Sequence, residues 1–203
     1  MEIEAKFNVP DREVWQRLQA LDRLAGFDLV AGRVKRVRDI YLDTPDCYIF
    51  YVGYACRLRQ QDDEYLITLK ALGGAQDAIH RRQELEATVP PVLSPAQWPP
   101  SPARERLVEL IGSSPLLPLF ELEQERWVRN LMRGDRRIAE WSLDDVRVVA
   151  GGQEQAYLQL EVELGPQGDD TDLARIAACL RDEWKLLPEP CSKFERAFSL
   201  IAK

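Results

Sequence analysis

Charged side chains recur at every second position along several extended segments of this sequence, and this alternation limits what the chain can fold into. In the segment 2–9, Glu2, Glu4 and Lys6 share one parity, and the residues that alternate with them are apolar. Because successive side chains of a β-strand point to opposite faces, the segment predicts a strand with one charged face and one apolar face.

The same alternation recurs in later segments and involves both signs of charge. Its members beyond the first strand are Arg57, Arg59, Lys70, Arg82, Glu84, Glu86, Arg126, Asp144, Glu161 and Glu163. A solvent-facing surface explains any one such strand. However, Glu-x-Glu occurs on three of these strands, and carboxylates two residues apart on one face repel each other unless cations lie between them. The repetition therefore predicts an ion site formed by several strands.

Local patterns predict about eight strands and three or four helices, placed before and after a proline-rich connector at about 90–102. The predicted strands are 2–9, 33–43, 54–60, 64–71, 79–89, 118–131, 136–148 and 155–164. One predicted helix starts at 10–11, and the others cover 102–111, 172–184 and 192–201. Because the strands are grouped, the pattern indicates an antiparallel α+β or barrel architecture. A closed eight-stranded barrel would place the charged faces inside and leave the outer apolar faces for flanking helices to cover.

Length and charge exclude several classes of protein. The 203 residues correspond to one domain, so we expect a single domain over 1–203. The 27 Lys and Arg residues against 34 Asp and Glu residues give a net charge of −7, which disfavours a nucleic-acid-binding protein. The sequence has neither an apolar run long enough to span a membrane nor a signal-peptide core. We therefore expect a cytoplasmic protein with no membrane contact.

Two residue counts exclude further chemistries. His80 is the single histidine, so zinc sites with several histidine ligands cannot form, and Ser-His-Asp catalysis would depend on it alone. Its position beside Arg81 at a strand start predicts a surface residue. The four cysteines form no C-x-x-C pair, and neither common glycine-rich phosphate loop is present, which disfavours a structural zinc site and the usual nucleotide-binding loops.

The mixture of charges itself indicates a ligand. Burying that many ions without partners would cost several kcal/mol per ion. A polyanion together with a divalent metal would satisfy both signs, because arginine forks bind phosphate oxygens and carboxylates hold hard cations such as Mg²⁺ or Mn²⁺.

Several blocks of sequence resemble the CYTH domain family, also called the triphosphate tunnel metalloenzymes. Residues 2–6 are similar to its E-x-E-x-K signature. The resemblance continues in order through Asp39–Asp46 (D-x-Y-x-D-T-P-D), Cys56–Arg59, Thr68–Lys70, Arg82–Glu86, Leu143–Asp144, Gln159–Glu163 and Ser192–Lys193. The blocks cover nearly the whole chain, and their order makes the resemblance far more specific than any one of them.

The resemblance implies a closed antiparallel eight-stranded tunnel, a divalent metal and a role for each matched residue. The implied catalytic residues are Glu2, Glu4, Lys6, Glu161 and Glu163. The implied substrate-binding residues are Lys6, Arg57, Arg59, Lys70, Arg82, Arg126 and Lys193. The implied ligands of Mg²⁺ or Mn²⁺ are Glu2, Glu4, Asp144, Glu161 and Glu163. Glu84 and Glu86 would complete the network, and Arg38 is an additional phosphate contact to test, although its parity is opposite to that of Asp39.

The leading functional interpretation is a metal-dependent hydrolase that converts inorganic triphosphate to pyrophosphate and phosphate. The alternatives are a nucleoside or thiamine triphosphatase, a class IV-type adenylate cyclase, and a non-catalytic module that binds triphosphate or polyphosphate. The expected partner is inorganic triphosphate or a nucleoside triphosphate, and a homodimer stays open. Departures from the family pattern at Gln159 and Glu125, and the unusually basic segment 33–43, affect the choice of substrate more than the fold.

Overall fold

The computed structural model describes residues 1–30 and 32–201. The strands are β1 (Glu2–Val9), β2 (Arg23–Leu24), β3 (Phe27–Leu29), β4 (Arg33–Asp43), β5 (Tyr54–Gln61), β6 (Glu64–Ala71), β7 (Ala75–Gln76), β8 (Ile79–Arg82), β9 (Glu84–Thr88), β10 (Leu117–Arg133), β11 (Arg136–Ala150), β12 (Gln153–Leu164) and β13 (Leu187–Pro188). The helices are α1 (Arg12–Gln19), α2 (Tyr48–Tyr51), α3 (Pro102–Ile111), α4 (Asp170–Asp182) and α5 (Lys193–Phe198), with a 3₁₀ helix at Pro95–Gln97.

One antiparallel sheet contains these strands. Its order is β7-β8-β1-β12-β11-β10-β4-β5-β6-β9; β13 pairs with β1, and the β2-β3 hairpin joins β10. Strands that are distant in sequence become neighbours, so that β1 lies beside β12 and β10 lies beside β4. The predicted mainly-β α+β class is confirmed.

The sheet curls into an open half-barrel. The order ends with the short β7-β8 pair on one side and with β9 on the other, and β8 and β9 are consecutive in the chain, separated by Gln83. β8 pairs with β1 and β9 pairs with β6, but no ladder joins β1 to β6 in the described parts of the chain. The predicted closed eight-stranded barrel is therefore not confirmed. The backbone hydrogen bonds of β8 go to β1 and those of β9 go to β6, so the two short strands do not form one continuous ladder.

Helices α1 and α4 cover the outer face of the half of the sheet that contains β1 and β12. Phe7 of β1 and Leu160 and Val162 of β12 point toward them and are fully buried. The helices contribute Trp15, Leu18, Leu173, Ile176 and Leu180. Burial of each large apolar side chain stabilises the fold by about 1.5–3 kcal/mol, so this layer fixes which parity of β1 and β12 faces inward.

Helix α3 and the proline-rich segment cover the other half of the outer face. Leu58 of β5 and Leu69 of β6 pack there against Leu107 of α3. Ser101 caps α3 by accepting a hydrogen bond from the Arg104 backbone N–H at 3.2 Å. Trp98, which lies in the predicted connector, is also buried in this layer and donates from Nε1 to the Val92 carbonyl at 2.8 Å.

A third apolar cluster fills one end of the interior. Tyr41, Leu122 and Val146 come from the inner faces of β4, β10 and β11, and Phe194 of α5 packs among them. Ser192 caps α5 in a capping box with Glu195, which fixes the entry of the helix. Helix α5 therefore lies between the apolar and charged parts of the interior. Its Phe194 packs in the apolar cluster, and its Lys193 lines the charged part.

In the described residues, none of the helices combines the length and the apolar character that crossing a membrane would need.

Candidate functional site

The inner face of the half-barrel encloses a cavity of about 280 Å³, here called the inner cavity. Charged side chains dominate its lining: Glu2, Glu4, Lys6, Lys35, Arg57, Arg59, Lys70, Arg82, Glu84, Glu86, Arg126, Glu140, Glu161, Glu163 and Lys193. They alternate along their strands with the residues of the outer apolar layers, as the period of two predicts. The charges therefore converge on one space.

Glu4 lies at the centre of three cations. Its Oε1 is 3.1 Å from Lys6 Nζ and 3.5 Å from Lys70 Nζ, and Arg82 donates to the same oxygen. Burial alone would raise the pKa of Glu4, but Lys6 and Lys70 outweigh it and lower the pKa to about 2. Glu4 is therefore ionised at neutral pH, and it offsets the repulsion between the cations around it.

Glu161 joins a second group of cations. It accepts a hydrogen bond from Arg126 at 2.9 Å, and its Oε1 is 3.0 Å from Lys193 Nζ and 3.3 Å from Lys6 Nζ. Burial would raise its pKa, but Lys193, Lys6 and Arg126 together hold the pKa well below its ordinary value. Lys6 contacts both Glu4 and Glu161, so it links the two groups across the neighbouring strands β1 and β12.

Asp144 supports the second group from behind the cavity wall. The residue is fully buried, and its two oxygens accept from Arg126 Nε at 2.9 Å and from Lys193 Nζ at 2.6 Å. Ser142 donates to it as well. Both oxygens of Asp144 are thus engaged by cations, so its predicted place among the metal ligands stays a prediction.

Asp39 orients the arginines of the opposite wall. Its oxygens accept from Arg59 Nε at 2.7 Å and Arg59 NH2 at 2.8 Å, and Gln124 donates to it at 2.6 Å. Burial would raise the pKa of Asp39, but Arg59 and Arg57 hold it far below its ordinary value. This forked pair fixes the plane of the Arg59 guanidinium.

Arg57 is held more loosely than Arg59. Its NH2 donates to Thr68 Oγ1 at 3.1 Å, and its distances to the carboxylates of Asp39, Glu84 and Glu86 are 3.8–4.0 Å. The buried Nε atoms of Arg57 and Arg82 have no acceptor within the residues described. Because a buried donor without a partner is costly, these two atoms point to a ligand that accepts hydrogen bonds.

Carboxylates crowd together at the mouth of the inner cavity. On β12, Glu163 lies directly opposite Glu4 of β1 on one side and Glu140 of β11 on the other. Partial burial, Glu2, Glu4 and Glu140 raise the pKa of Glu163 to about 7. Like charges directly opposite each other destabilise a sheet. Glu2 and Glu4 pair with cations, but among the described residues Glu163 and Glu140 make no ion pair. The mouth therefore carries negative charge at these two residues.

We expect Glu163→Gln to stabilise the metal-free protein in a pH-dependent way. In the unfolded chain Glu163 ionises near its ordinary pKa of 4.5, whereas in the folded chain it ionises near 7. The free energy of unfolding therefore falls as pH rises between these values, and the cost is complete above pH 7. After allowance for solvent screening, the variant should gain about 1 kcal/mol at pH 8 and less at pH 5. Urea unfolding in EDTA at both pH values measures the difference, and an equal gain at both would contradict the assignment.

The acidic mouth fits a divalent cation that arrives with phosphate. Its donors are carboxylate oxygens, which Mg²⁺ and Mn²⁺ prefer, and a cation there would relieve the repulsion around Glu163. Within the described residues, no three Asp, Glu, His or Cys side chains are already gathered as a metal-binding group. Mg²⁺ is commonly held by one or two carboxylates together with substrate phosphates. The residues present fit that arrangement.

The structure brings together nearly all residues predicted for the site. Those that line the inner cavity are Glu2, Glu4, Lys6, Arg57, Arg59, Lys70, Arg82, Arg126, Glu161, Glu163 and Lys193, with Glu84 and Glu86 beside them. Asp144 lies behind the wall. The placement of these residues agrees with the period of two, and their individual roles stay predictions.

The predicted positions of two side chains, Arg38 and His80, were wrong. Arg38 points outward and pairs with Glu121, both side chains being exposed, because its parity is that of the outer face. His80 is buried, not at the surface, and its Nε2 lies 2.8 Å from the Glu189 carbonyl oxygen. The β1-β8 ladder places His80 opposite Glu4, which turns its ring into the protein.

The cavity-lining residues that sequence reasoning missed include Lys35, Glu140 and Tyr41. Parity could have found them. Lys35 and Tyr41 share the parity of Asp39 on β4, and Glu140 shares that of Asp144 on β11. No family motif among those quoted covers Lys35 or Glu140.

The chain belongs to the CYTH domain family, whose model matches residues 1–198. The chain is 27% identical over 185 residues to an inorganic triphosphatase of Haemophilus influenzae, and the match covers 89% of this chain. The chain spans 50% of that relative's length.

Solved structures share the fold at low sequence identity. One is a Hippeastrum protein provisionally called an adenylyl cyclase and described as having a dominant triphosphatase activity; its TM-score is 0.73 at 18% identity, covering 98% of this chain and 96% of that one. Another is a Bacillus halodurans protein provisionally called an adenylate cyclase, with a TM-score of 0.65 at 20% identity, covering 98% of this chain and 97% of that one. These likenesses establish the curled antiparallel sheet as a shared fold.

Proposed function

We propose that this protein is a divalent-metal-dependent hydrolase of triphosphate compounds that acts on inorganic triphosphate. One observation carries the proposal: within the described residues, the buried cations of the inner cavity are already paired with carboxylates. A polyphosphate that enters must replace those carboxylates as partner of the cations. The released carboxylates would repel it unless a divalent cation enters with it, so the site suits a metal–triphosphate complex.

The cations divide into two walls that could hold successive phosphoryl groups. Arg57 and Arg59 lie on one wall, and Arg126 and Lys193 on the other, with Lys6 between the carboxylates Glu4 and Glu161. Lys70 and Arg82 extend the cationic lining near Glu4. The Nε atoms of Arg57 and Arg82 supply donors with no other acceptor. Fixed cations of this kind stabilise the charge that develops on the leaving group when a phosphoanhydride bond breaks.

The carboxylates would hold the metal ion. Glu2, Glu4, Glu161 and Glu163 lie on the neighbouring strands β1 and β12 and line the same end of the cavity. Mg²⁺ or Mn²⁺ bound there would neutralise phosphate charge and lower the pKa of a bound water. The protein's part is to hold the phosphate chain extended between its walls, so that a water can attack in line with the bond that breaks.

A phosphate-release panel tests the proposal. The purified chain is incubated with inorganic triphosphate, ATP, GTP and thiamine triphosphate, each with Mg²⁺, Mn²⁺ or EDTA. We expect metal-dependent release of phosphate that is fastest from inorganic triphosphate, with pyrophosphate as the second product. Chromatography of the ATP reaction separates orthophosphate from cyclic nucleotide. Cyclic AMP as the main product, or tight binding of triphosphate without turnover under either metal, would contradict the proposal.

A further inference from the structure

Lys35 differs from the other cations that line the inner cavity because, among the described residues, it makes no ion pair. It lies on the inner parity of β4, is half-buried and lines the inner cavity. Among the described residues, no carboxylate lies within 4 Å of its ammonium, whereas Lys6, Lys70 and Lys193 each make ion pairs. A cavity-lining cation that makes no ion pair is a position where an arriving anion gains most, because no existing pair has to break.

The neighbours of Lys35 strengthen this inference. The β4-β10 register places Lys35 directly opposite Arg126, and both side chains line the inner cavity. Two cations directly opposite each other on one face of a sheet are unfavourable unless an anion lies between them. Arg126 already holds Asp144 and Glu161 on its other side. The space between Arg126 and Lys35 is therefore suited to one more anionic group.

The other basic residues of β4 do not line the inner cavity: Arg33 shares the parity of Lys35 but is exposed at the start of the strand. Arg36 and Arg38 have the outer parity, are exposed and pair with Glu125 and Glu121 of β10. Partial desolvation lowers the pKa of Lys35, and Arg33, Arg126 and Arg59 act in the same direction against Glu140. Lys35 thus lies within electrostatic reach of the two cationic walls, whereas Arg36 faces solvent on the opposite side of the same strand.

We propose that Lys35 is a specificity-determining residue that binds a terminal phosphoryl group of an all-phosphate substrate at the end of the inner cavity beside Arg126. The proposal rests on the function proposed above and narrows its substrate class to inorganic polyphosphates. Inorganic triphosphate carries a highly charged terminal phosphoryl group at both ends, whereas one end of a nucleoside triphosphate is an uncharged ribose and base. Only the first kind of ligand presents an anion to Lys35 while the other cations hold the rest of the chain.

Steady-state kinetics of Lys35→Met, with Arg36→Met as the matched control on the same strand, test this assignment. We expect Lys35→Met to raise KM for inorganic triphosphate about tenfold, with kcat changed less than twofold and KM for ATP nearly unchanged. Lys35→Arg should restore most of the affinity, and Arg36→Met should behave as wild type. An equal effect of Lys35→Met on both substrates, or no effect on either, would overturn the assignment.

Calorimetry separates failure of this assignment from failure of the proposed function. Wild-type protein is titrated with inorganic triphosphate, with and without Mn²⁺. If wild type binds but does not hydrolyse it, the hydrolase proposal fails, and the tenfold loss is then measured as Kd in Lys35→Met. If wild type neither binds nor hydrolyses it, both proposals fail. Unchanged Kd in Lys35→Met overturns the role of Lys35 alone.

Discussion

Glu161→Gln should reduce metal-dependent phosphate release from triphosphate by about a hundredfold or more. Glu161 contacts Lys6, Arg126 and Lys193, so it fixes the spacing of three cations. Glutamine keeps the shape but removes the charge, which releases the cations and weakens one of the proposed ligands of the metal ion. Losses of this size are typical when a fixed electrostatic contact or a metal ligand's support is removed.

Glu154→Gln is the matched control for that variant. Glu154 lies on the same strand, β12, but its carboxylate pairs with Arg147 at an exposed position. Exposed pairs contribute little to stability and Glu154 is remote from the inner cavity, so this variant should retain wild-type turnover. Circular dichroism of both variants should match that of wild type. Wild-type turnover by folded Glu161→Gln would contradict the role assigned to the residue.

Asp39→Asn should give the largest loss of stability among single substitutions at the site, about 3 kcal/mol. Asp39 is fully buried, accepts a forked pair from Arg59 and accepts a further hydrogen bond from Gln124. Removing its charge leaves Arg59 and Arg57 without their main counterion, and breaking a buried pair in this way is strongly destabilising. Urea unfolding measures the loss, and kcat/KM for triphosphate should fall with it because the Arg59 plane is no longer fixed.

The control for Asp39→Asn is Glu121→Gln. Glu121 also pairs with an arginine of the β4-β5-β10 region, Arg38, but both side chains are exposed. The variant should change the free energy of unfolding by less than about 1 kcal/mol. Equal destabilisation by the two substitutions would show that burial of the Asp39–Arg59 pair is not the cause. Addition of triphosphate should partly restore Asp39→Asn, because a bound anion replaces the lost counterion.

Alternation along the strands allowed most of the site to be predicted. In β1, β5 and β12 the charged parity faces inward and the apolar parity packs on helices, so Glu4, Arg57 and Glu161 meet although they are far apart in the sequence. A period of two fixes which side chains share a face, and the apolar layer decides which face is inside. The family resemblance pointed to the same residues.

Other features depend on tertiary structure that no local pattern shows. Whether β8 and β9 close the sheet depends on which strand each of them pairs with. β8 pairs with β1, and β9 pairs with β6. His80 is buried because β8 pairs with β1, which its position beside Arg81 does not indicate. Parity separates Lys35 from Arg36 but not from Arg33, and the register with β10, which places Lys35 opposite Arg126 and Arg33 opposite Val128, distinguishes those two.

The account depends on triphosphate and metal binding together inside the inner cavity. A crystal structure of the protein soaked with Mn²⁺ and a non-hydrolysable imido analogue of triphosphate, with anomalous scattering to locate manganese, tests this most directly. We predict manganese between the carboxylates of β1 and β12 and phosphate oxygens on Arg57, Arg59 and Arg126. Manganese and phosphate bound on the outer surface, with the ion pairs of the cavity unchanged, would contradict the account.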